Sequence, residues 1–291
     1  MTILNGTAVA EEIFSELKNR IKNASRKPGL AVILVGNNPA SQIYVKTKSK
    51  KAMELGMEFY LIHLPENSTK MLIIQEILKL NVNPEIDGIL LQLPLPQHLN
   101  PEEIIESVDP FKDVDGLHPI NLGKLLAGYK DGFTPCTPLG VIRLMTAYNI
   151  SPQGKHVVIL GRSNIVGKPL AALLMQKNSN ANATVTLVHS RSKNIKDHLK
   201  QADILVAAIG SPLFIKQNMI KEKSVIIDVG INRLDAPWTE KGYQIVGDTD
   251  FNNLVSKCSA ISPVPKGVGP LTIAMLMENT WLSYSKKSLC S

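Results

Sequence analysis

Tyr44 and Lys48 are side chains whose types and spacing could do chemistry. They are four residues apart, so on a helix they share one face. A lysine amine can handle a proton in catalysis when its surroundings lower its pKa. The alternative is a basic, solvated helix, because Lys46, Lys50 and Lys51 lie in the same segment.

A second candidate is the glycine turn at residues 161–167, between a predicted buried strand and a predicted helix. Main-chain N–H groups in such a turn can bind phosphates. It is not a Walker A loop. That motif has four residues between its first glycine and its Gly-Lys pair, followed by Ser or Thr, whereas here five residues separate Gly161 from Gly167-Lys168 and Pro169 follows. It is not a nucleophile elbow, because Ile165 replaces the second glycine. Two interpretations of this glycine turn remain: a dinucleotide-binding loop or an ordinary strand-helix turn. Chain order excludes a short-chain dehydrogenase, in which the Tyr-Lys pair follows the glycine loop.

The residues after the next predicted strand favour NADP over NAD. An NAD site usually has an Asp or Glu there to hold the ribose, about 20 residues beyond the glycine loop. Here the strand ends in His189, Ser190 and Arg191, and Arg162 lies in the glycine loop itself. Such donors and cations suit a 2′-phosphate. The alternative is that Arg191 is only a solvated loop charge.

Two more polar segments attract attention. Gln92 ends a predicted buried strand, and polar groups at the carboxyl ends of parallel strands lie where such sheets bind ligands. Asp113 and Asp115 begin a segment that resembles a calcium loop, but the remaining ligands are missing. We therefore predict no metal site.

The elements that position these residues alternate between strands and helices, which predicts an α/β protein with mainly parallel sheets. A Pro- and Gly-dense stretch at residues 132–140 predicts a domain boundary. The predicted strands are residues 30–36, 58–64, 88–93, 156–160, 184–189, 204–209, 225–229 and 244–247. The clearest predicted helices are residues 8–21, 41–55, 139–149, 166–176 and 271–284.

Composition excludes several classes of protein. The 291 residues carry a formal charge of +7, which suits an anionic partner, but aromatic residues make up only 5%, which disfavours nucleic acid. No apolar run reaches the ~18 residues of a membrane helix, and no signal-peptide pattern is present. The widely spaced Cys136, Cys258 and Cys290 indicate neither a disulfide framework nor a zinc site. We expect a cytoplasmic protein without nucleic-acid or membrane partners.

Taken together, the motifs resemble those of the bifunctional methylenetetrahydrofolate dehydrogenase/cyclohydrolase family. The similar segments appear in family order and span nearly the whole chain: residues 41–48, 92–96, 112–116, 135–140, 161–169 and 263–270. One departure is Lys266, where most members carry glycine.

The resemblance implies a two-domain fold and two successive activities. Residues 1–135 plus 271–291 would form an α/β catalytic, folate-binding domain completed by the C-terminal helix. Residues 136–270 would form a Rossmann-like NADP domain, through which the family forms homodimers. The implied reactions are NADP-dependent oxidation of 5,10-methylenetetrahydrofolate and hydrolysis of the methenyl product to 10-formyltetrahydrofolate, with or without a polyglutamate tail on the folate.

The resemblance also implies roles for individual residues. Lys48 matches the catalytic lysine, Tyr44 the active-site tyrosine, Gln92 the residue that positions the lysine, and Asp115 the residue that binds the pterin. The expected substrate site comprises these four with Pro263 and Gly267. The expected cofactor site comprises Gly161, Arg162, Ser163, Gly167, His189, Ser190, Arg191 and Ile231.

Two alternatives remain open at this point. One is another two-domain NADP-dependent dehydrogenase, similar to shikimate dehydrogenase and without folate activity. The other is a non-catalytic regulator that binds NADP without turnover.

Overall fold

Strands and helices alternate along residues 1–239 and 242–288, the part of the chain described by the computed structural model. Cys290, noted above for its spacing, lies outside these residues. The strands are β1 Thr2–Ile3, β2 Gly29–Val35, β3 Glu58–Leu64, β4 Gly88–Leu91, β5 His156–Leu160, β6 Thr184–Val188, β7 Ile204–Ala207, β8 Val225–Asp228, β9 Asn232–Asp235, β10 Tyr243–Val246 and β11 Ala260–Ile261. The α-helices are α1 Gly6–Lys22, α2 Pro39–Leu55, α3 Lys70–Val82, α4 Pro101–Ile105, α5 Pro119–Ala127, α6 Cys136–Ala147, α7 Gly167–Leu174, α8 Ile195–Leu199, α9 Phe251–Leu254 and α10 Val268–Ser288.

The chain divides into two compact units. The first unit, Met1–Glu11 with Thr137–Thr272, contains a parallel sheet in the order β1-β11-β8-β7-β5-β6. Apart from His156 at the start of β5 and Asp228 at the end of β8, its central strands β5, β7 and β8 are runs of Val, Ile, Leu and Ala. They are almost entirely buried, as a sheet covered on both faces requires. Because β6 lies on one side of β5 and β7 on the other, the sheet has a switch point there. Ligands of open α/β sheets bind at such points, outside the carboxyl ends of the strands.

The second unit, Glu12–Cys136 with Ile273–Ser291, contains the parallel sheet β3-β2-β4. Strand β2 is buried along its whole length. Helix α10 belongs to this unit over most of its length: Ser283 Oγ donates to the carbonyl oxygens of Asp87, at 2.6 Å, and Phe111, at 2.9 Å. The predicted α/β class, with an N-terminal domain completed by the C-terminal helix and a second domain built on a parallel sheet, is confirmed.

Two differences from the sequence predictions concern the sheet that a segment joins. Residues 1–11, which we predicted to belong to the folate-binding domain, group with the larger sheet instead, because β1 pairs in parallel with β11. The strand predicted at residues 244–247 does form, as β10, but it pairs antiparallel with β9 in a separate hairpin. Within residues 1–239 and 242–288, no helix combines the length and the apolar character needed to cross a bilayer.

Candidate active site

Helix α2 places Tyr44 and Lys48 one turn apart. Its start is fixed by Asn38, whose side-chain oxygen accepts hydrogen bonds from the main-chain N–H groups of Ala40 and Ser41, at 3.0 and 3.1 Å. Tyr44 and Lys48 are half-buried, whereas the predicted solvated positions Lys46 and Lys50 are exposed. The helix therefore turns its Tyr-Lys face away from solvent and leaves Lys46 and Lys50 exposed, whereas Lys51, also expected to be solvated, is only partly exposed.

Lys48 meets the predicted partner Gln92, which follows β4. The Lys48 Nζ donates a hydrogen bond of 2.9 Å to Gln92 Oε1. The Gln92 Nε2 donates to the carbonyl oxygen of Leu93 at 2.6 Å, and its main-chain N–H donates to the carbonyl of Ile33. Hydrogen bonds therefore fix both the main chain and the side-chain amide of Gln92, and the amide oxygen is directed at the lysine amine.

Burial and nearby charges change the protonation of this group of side chains. Burial lowers the pKa of Lys48 from its usual 10.5, and the charge of Asp115 opposes that shift. Burial raises the pKa of Asp115, with Lys48 opposing, and burial also raises the pKa of Tyr44. The lysine is therefore easier to deprotonate than a solvated one and lies close enough to Asp115 to interact with its charge.

Asp115 lies in a tight loop that is organised by Asp113. The Asp113 carboxylate accepts hydrogen bonds from the main-chain N–H groups of Leu117 and His118, at 3.2 and 2.8 Å. Burial raises the pKa of Asp113 from 3.8 to about 7. Gly116 has φ +72°, and a Cβ there would lie 2.6 Å from the main chain of a neighbouring segment, so only glycine fits. Asp113 therefore shapes the loop, and Asp115 is the carboxylate near Lys48.

Two residues that the sequence analysis did not assign complete this site. The Asn279 Nδ2, on α10, donates to the carbonyl oxygens of Val114, at 2.9 Å, and Thr134, at 3.1 Å. The buried Cys136 Sγ donates to the carbonyl of Val114 at 3.3 Å, and its interaction with Asp115 partly offsets the rise that burial causes in the pKa of that carboxyl group. Cys136 lies in a segment that carried the family resemblance, whereas nothing in the sequence around Asn279 distinguishes it.

In the other unit, the glycine loop follows β5 and leads into α7. Gly161 has φ +137°, and a Cβ on it would overlap the carbonyl oxygen of Ala208. A Cβ on Gly167 would overlap the carbonyl oxygen of Gly161. Main chain therefore packs directly on main chain, while Arg162 and Ser163 are exposed at the loop's rim. This tight turn between two glycines, ahead of a helix, fits the pyrophosphate of a dinucleotide.

The predicted 2′-phosphate ligands lie at the end of the adjacent strand. Strand β6 pairs in parallel with β5, so His189, Ser190 and Arg191 follow β6 at the same edge of the sheet as the glycine loop. The His189 Nδ1 accepts a hydrogen bond of 3.2 Å from the Arg191 main-chain N–H, and the Ser190 and Arg191 side chains are exposed. With no carboxylate at this strand end, the site fits a phosphorylated ribose better than an unmodified one.

The remaining predicted residues lie in the same unit as the glycine loop. Ile231 is 48% exposed, and Gly267 packs so tightly that a Cβ would overlap the carbonyl oxygen of Pro263. The exposed Lys266 has φ +84°, a conformation that favours glycine, and its carbonyl accepts a hydrogen bond of 2.8 Å from the N–H of Gly6. The predicted substrate set is thus divided: Pro263 and Gly267 belong to one unit, and Tyr44, Lys48, Gln92 and Asp115 to the other.

These features define a class: two-domain α/β proteins that pair a dinucleotide-binding sheet with a domain containing a half-buried lysine hydrogen-bonded to a glutamine side chain. Two family models match the chain. The catalytic domain of tetrahydrofolate dehydrogenase/cyclohydrolase matches residues 4–115, and the NAD(P)-binding domain of the same family matches residues 135–288. The chain belongs to the tetrahydrofolate dehydrogenase/cyclohydrolase family.

Individual relatives agree over the full length. The bifunctional protein FolD of Chlamydia felis is 58% identical over 286 residues, which cover 98% of this chain and 99% of the relative. The crystal structure of the Campylobacter jejuni FolD methylenetetrahydrofolate dehydrogenase/cyclohydrolase has a TM-score of 0.92 at 47% identity and covers 99% of both chains. The Trypanosoma brucei FolD structure, in complex with NADP cofactor and inhibitor, has a TM-score of 0.93 at 36% identity and covers 100% of this chain and 99% of that one.

Proposed function

We propose that this chain is a bifunctional enzyme that oxidises 5,10-methylenetetrahydrofolate with NADP and hydrolyses the methenyl product to 10-formyltetrahydrofolate. Membership of the family, with both of its domain models matched, supports the pair of activities. The observation that carries the chemistry is the hydrogen bond of 2.9 Å between Lys48 Nζ and Gln92 Oε1, formed where burial lowers the pKa of the lysine. The shikimate-dehydrogenase-like alternative and the non-catalytic regulator are not favoured.

In the dehydrogenase step the protein mainly binds and aligns the reactants. NADP⁺, when bound, accepts a hydride from the methylene carbon of the folate. The N–H groups of the glycine loop hold the pyrophosphate, apart from those of Gly161 and Val166, which donate to Val188 and Ser163. Arg162 and Arg191 bind the 2′-phosphate. No side-chain base is needed, because the neighbouring folate nitrogen stabilises the cation that remains.

The hydrolytic step needs a group that handles protons. Water attacks the methenyl carbon, and the neutral Lys48 amine takes a proton from it as the C–O bond forms. The ring C–N bond then breaks as the Lys48 ammonium returns that proton to the leaving nitrogen. The second proton of the attacking water passes from the new hydroxyl group to solvent, which gives the formyl product with net release of one proton. Gln92 holds the amine in place, and Tyr44 sets the position of the folate ring beside it. Asp115 accepts hydrogen bonds from N–H groups of the pterin.

The folate and the cofactor are bound by different domains. Residues 1–135 plus 271–291, apart from residues 1–11, form the folate-binding catalytic domain, and residues 136–270 together with residues 1–11 form the NADP domain. Support for assigning the C-terminal helix to the folate domain comes from Asn279 and Ser283, whose side chains donate to carbonyl groups of that unit. Pro263 and Gly267, which the family resemblance assigns to the folate site, lie in the unit that contains the NADP sheet.

The physiological substrate and assembly complete the proposal. The exposed Lys50, on the helix that contains Lys48, offers positive charge to the carboxylates of a polyglutamylated folate. The resemblance to the family supports a homodimer formed through the NADP domain, and the composition of the chain supports a cytoplasmic location. Analytical ultracentrifugation of the full chain and of its separate NADP domain tests the dimer.

A spectrophotometric assay with methylenetetrahydrofolate and either NADP or NAD tests the function. With methylenetetrahydrofolate we expect the enzyme to reduce NADP in preference to NAD. In a separate assay without any cofactor, we expect it to hydrolyse added methenyltetrahydrofolate. Turnover of a shikimate-like acid without turnover of folate would favour the first alternative. Binding of NADP without any turnover would favour the regulator.

A further inference from the structure

Asp248 is a fully buried carboxylate that the proposed reaction does not use. Its Oδ2 accepts hydrogen bonds from the main-chain N–H groups of Ile209, at 2.8 Å, and Gly210, at 3.0 Å. Its Oδ1 accepts from the N–H of Ser211 and from Asn232 Nδ2, both at 2.9 Å. One buried charge is thus satisfied by four donors, three of which are consecutive main-chain groups of a single loop.

That loop occupies a particular place in the sheet. Residues 209–211 follow β7, which is the neighbour of β5 on the side opposite to β6. The glycine loop follows β5, and Gly161 packs so closely on the carbonyl of Ala208 that no Cβ fits between them. The segment that Asp248 holds and the glycine loop are therefore adjacent at the switch point of the sheet, where open α/β sheets bind their ligands.

The main chain of Asp248 is itself fixed by a second buried acid. The Asp228 carboxylate, at the end of β8, accepts hydrogen bonds from the N–H groups of Gly230, Asp248 and Thr249, at 2.9, 3.0 and 2.8 Å. It also accepts one from Thr249 Oγ1 at 2.5 Å. Asp248 therefore links the loop after β7 to the carboxyl end of β8.

We propose that Asp248 is a positioning residue for the dinucleotide, whose carboxylate holds residues 209–211 as the wall of the cofactor crevice opposite the glycine loop. The inference rests on the proposed function only in that the chain binds NADP. The carboxylate draws three successive N–H groups inward, which fixes the path of the loop against the glycine turn. Loss of these hydrogen bonds should let residues 209–211 move and so weaken cofactor binding. The folate domain is a separate unit, so its structure should not change.

The test replaces Asp248 by Asn in the full chain, with Asp250→Asn as the matched control. Asn removes the charge and places an NH2 group against N–H donors, so part of the loop loses its acceptor. Asp250 is two residues away, and its carboxylate accepts instead from Lys216 Nζ and Asn253 Nδ2, both at 3.0 Å. NADP affinity is measured by titration of the fluorescence of the reduced cofactor, and cofactor-independent hydrolysis of methenyltetrahydrofolate is measured on the same samples.

We expect Asp248→Asn to raise the dissociation constant of the cofactor at least about tenfold, as loss of a charge-assisted hydrogen bond does. Hydrolysis should stay within about twofold of wild type, and Asp250→Asn should change neither quantity. Unchanged cofactor affinity in Asp248→Asn would overturn the proposal, and so would a parallel loss of both quantities, which indicates a purely structural role.

A milder variant keeps the proposal testable if Asp248→Asn does not fold. Asn232→Ala removes one of the four donors and should weaken cofactor binding about threefold with hydrolysis retained; unchanged affinity would count against the proposal. The outcome is also separable from that of the proposed function. A wild-type chain that binds NADP without turning over folate contradicts the function, yet the affinity comparison still decides the role of Asp248. A wild-type chain that does not bind NADP overturns both.

Discussion

Replacement of Lys48 by Met should abolish the hydrolytic step while the protein stays folded and able to bind NADP. Met retains the length and apolar stem of the lysine but cannot exchange a proton. The change therefore removes the amine that donates to Gln92 Oε1 and leaves the packing of the half-buried stem largely in place.

The expected magnitudes follow from what the amine does in the structure. General acid–base catalysis contributes about 10²- to 10⁴-fold to a rate, so the hydrolytic rate should fall at least about 100-fold. The buried Gln92 oxygen loses one donor, which costs about 1 kcal/mol of unfolding free energy and should lower the Tm by about 2–4 °C. The dehydrogenase rate should fall less, because hydride transfer needs no base.

The pH dependence of the wild-type reaction gives a second readout. A lysine acts as a base only in its neutral form, so the hydrolytic rate should rise with pH as the amine loses its proton. Because burial lowers the pKa of Lys48, the midpoint should lie below 10.5. The Lys48→Met variant should lack this rise.

Hydrolysis is followed by the loss of methenyltetrahydrofolate absorbance, and folding by thermal denaturation and cofactor titration. Lys46→Met is the matched control, because Lys46 lies on the same helix but is exposed and on a different face. Near-normal hydrolysis in Lys48→Met, or its loss in Lys46→Met, would refute both the catalytic assignment and the reasoning from the helix face.

Three further outcomes are expected. Arg162→Ala should weaken NADP binding by about 1.5–3 kcal/mol and NAD binding much less, measured by titration with both cofactors; equal losses would show that Arg162 does not read the phosphate. Gly167→Ala should abolish NADP binding but leave hydrolysis intact, because the added Cβ overlaps the Gly161 carbonyl oxygen. Arg26→Met should lower the free energy of unfolding, measured by chemical denaturation, by about 2–3 kcal/mol, because it removes two hydrogen bonds of 2.7 Å from the buried Asp87 carboxylate. Lys287 remains as a partner of Asp87, and a smaller effect would mean that Lys287 alone is enough to stabilise that charge.

The sequence alone was enough to predict the fold class and the approximate position of many elements. Strands β3 and β5 have the predicted bounds, and β2, β6, β7 and β8 differ by one or two residues. The reason is physical: parallel strands buried on both faces are continuous runs of apolar residues, and glycine or polar residues interrupt the runs. The shared helix face of Tyr44 and Lys48 was equally predictable, because it depends only on the period of a helix.

The assembly of the site was decided by tertiary structure. Residues far apart in the chain supply the contacts: Gln92 to Lys48, Asn279 to the loop that contains Asp115, and Asp248 to the loop after β7. The family resemblance placed Gln92 near the lysine, but Asn279 and Asp248 had no local signal, since a buried hydrogen-bond partner has no periodicity. The two-residue strands β1 and β11 were also missed. They are too short to form a pattern, and they are strands only because an existing sheet edge supplies the pairing.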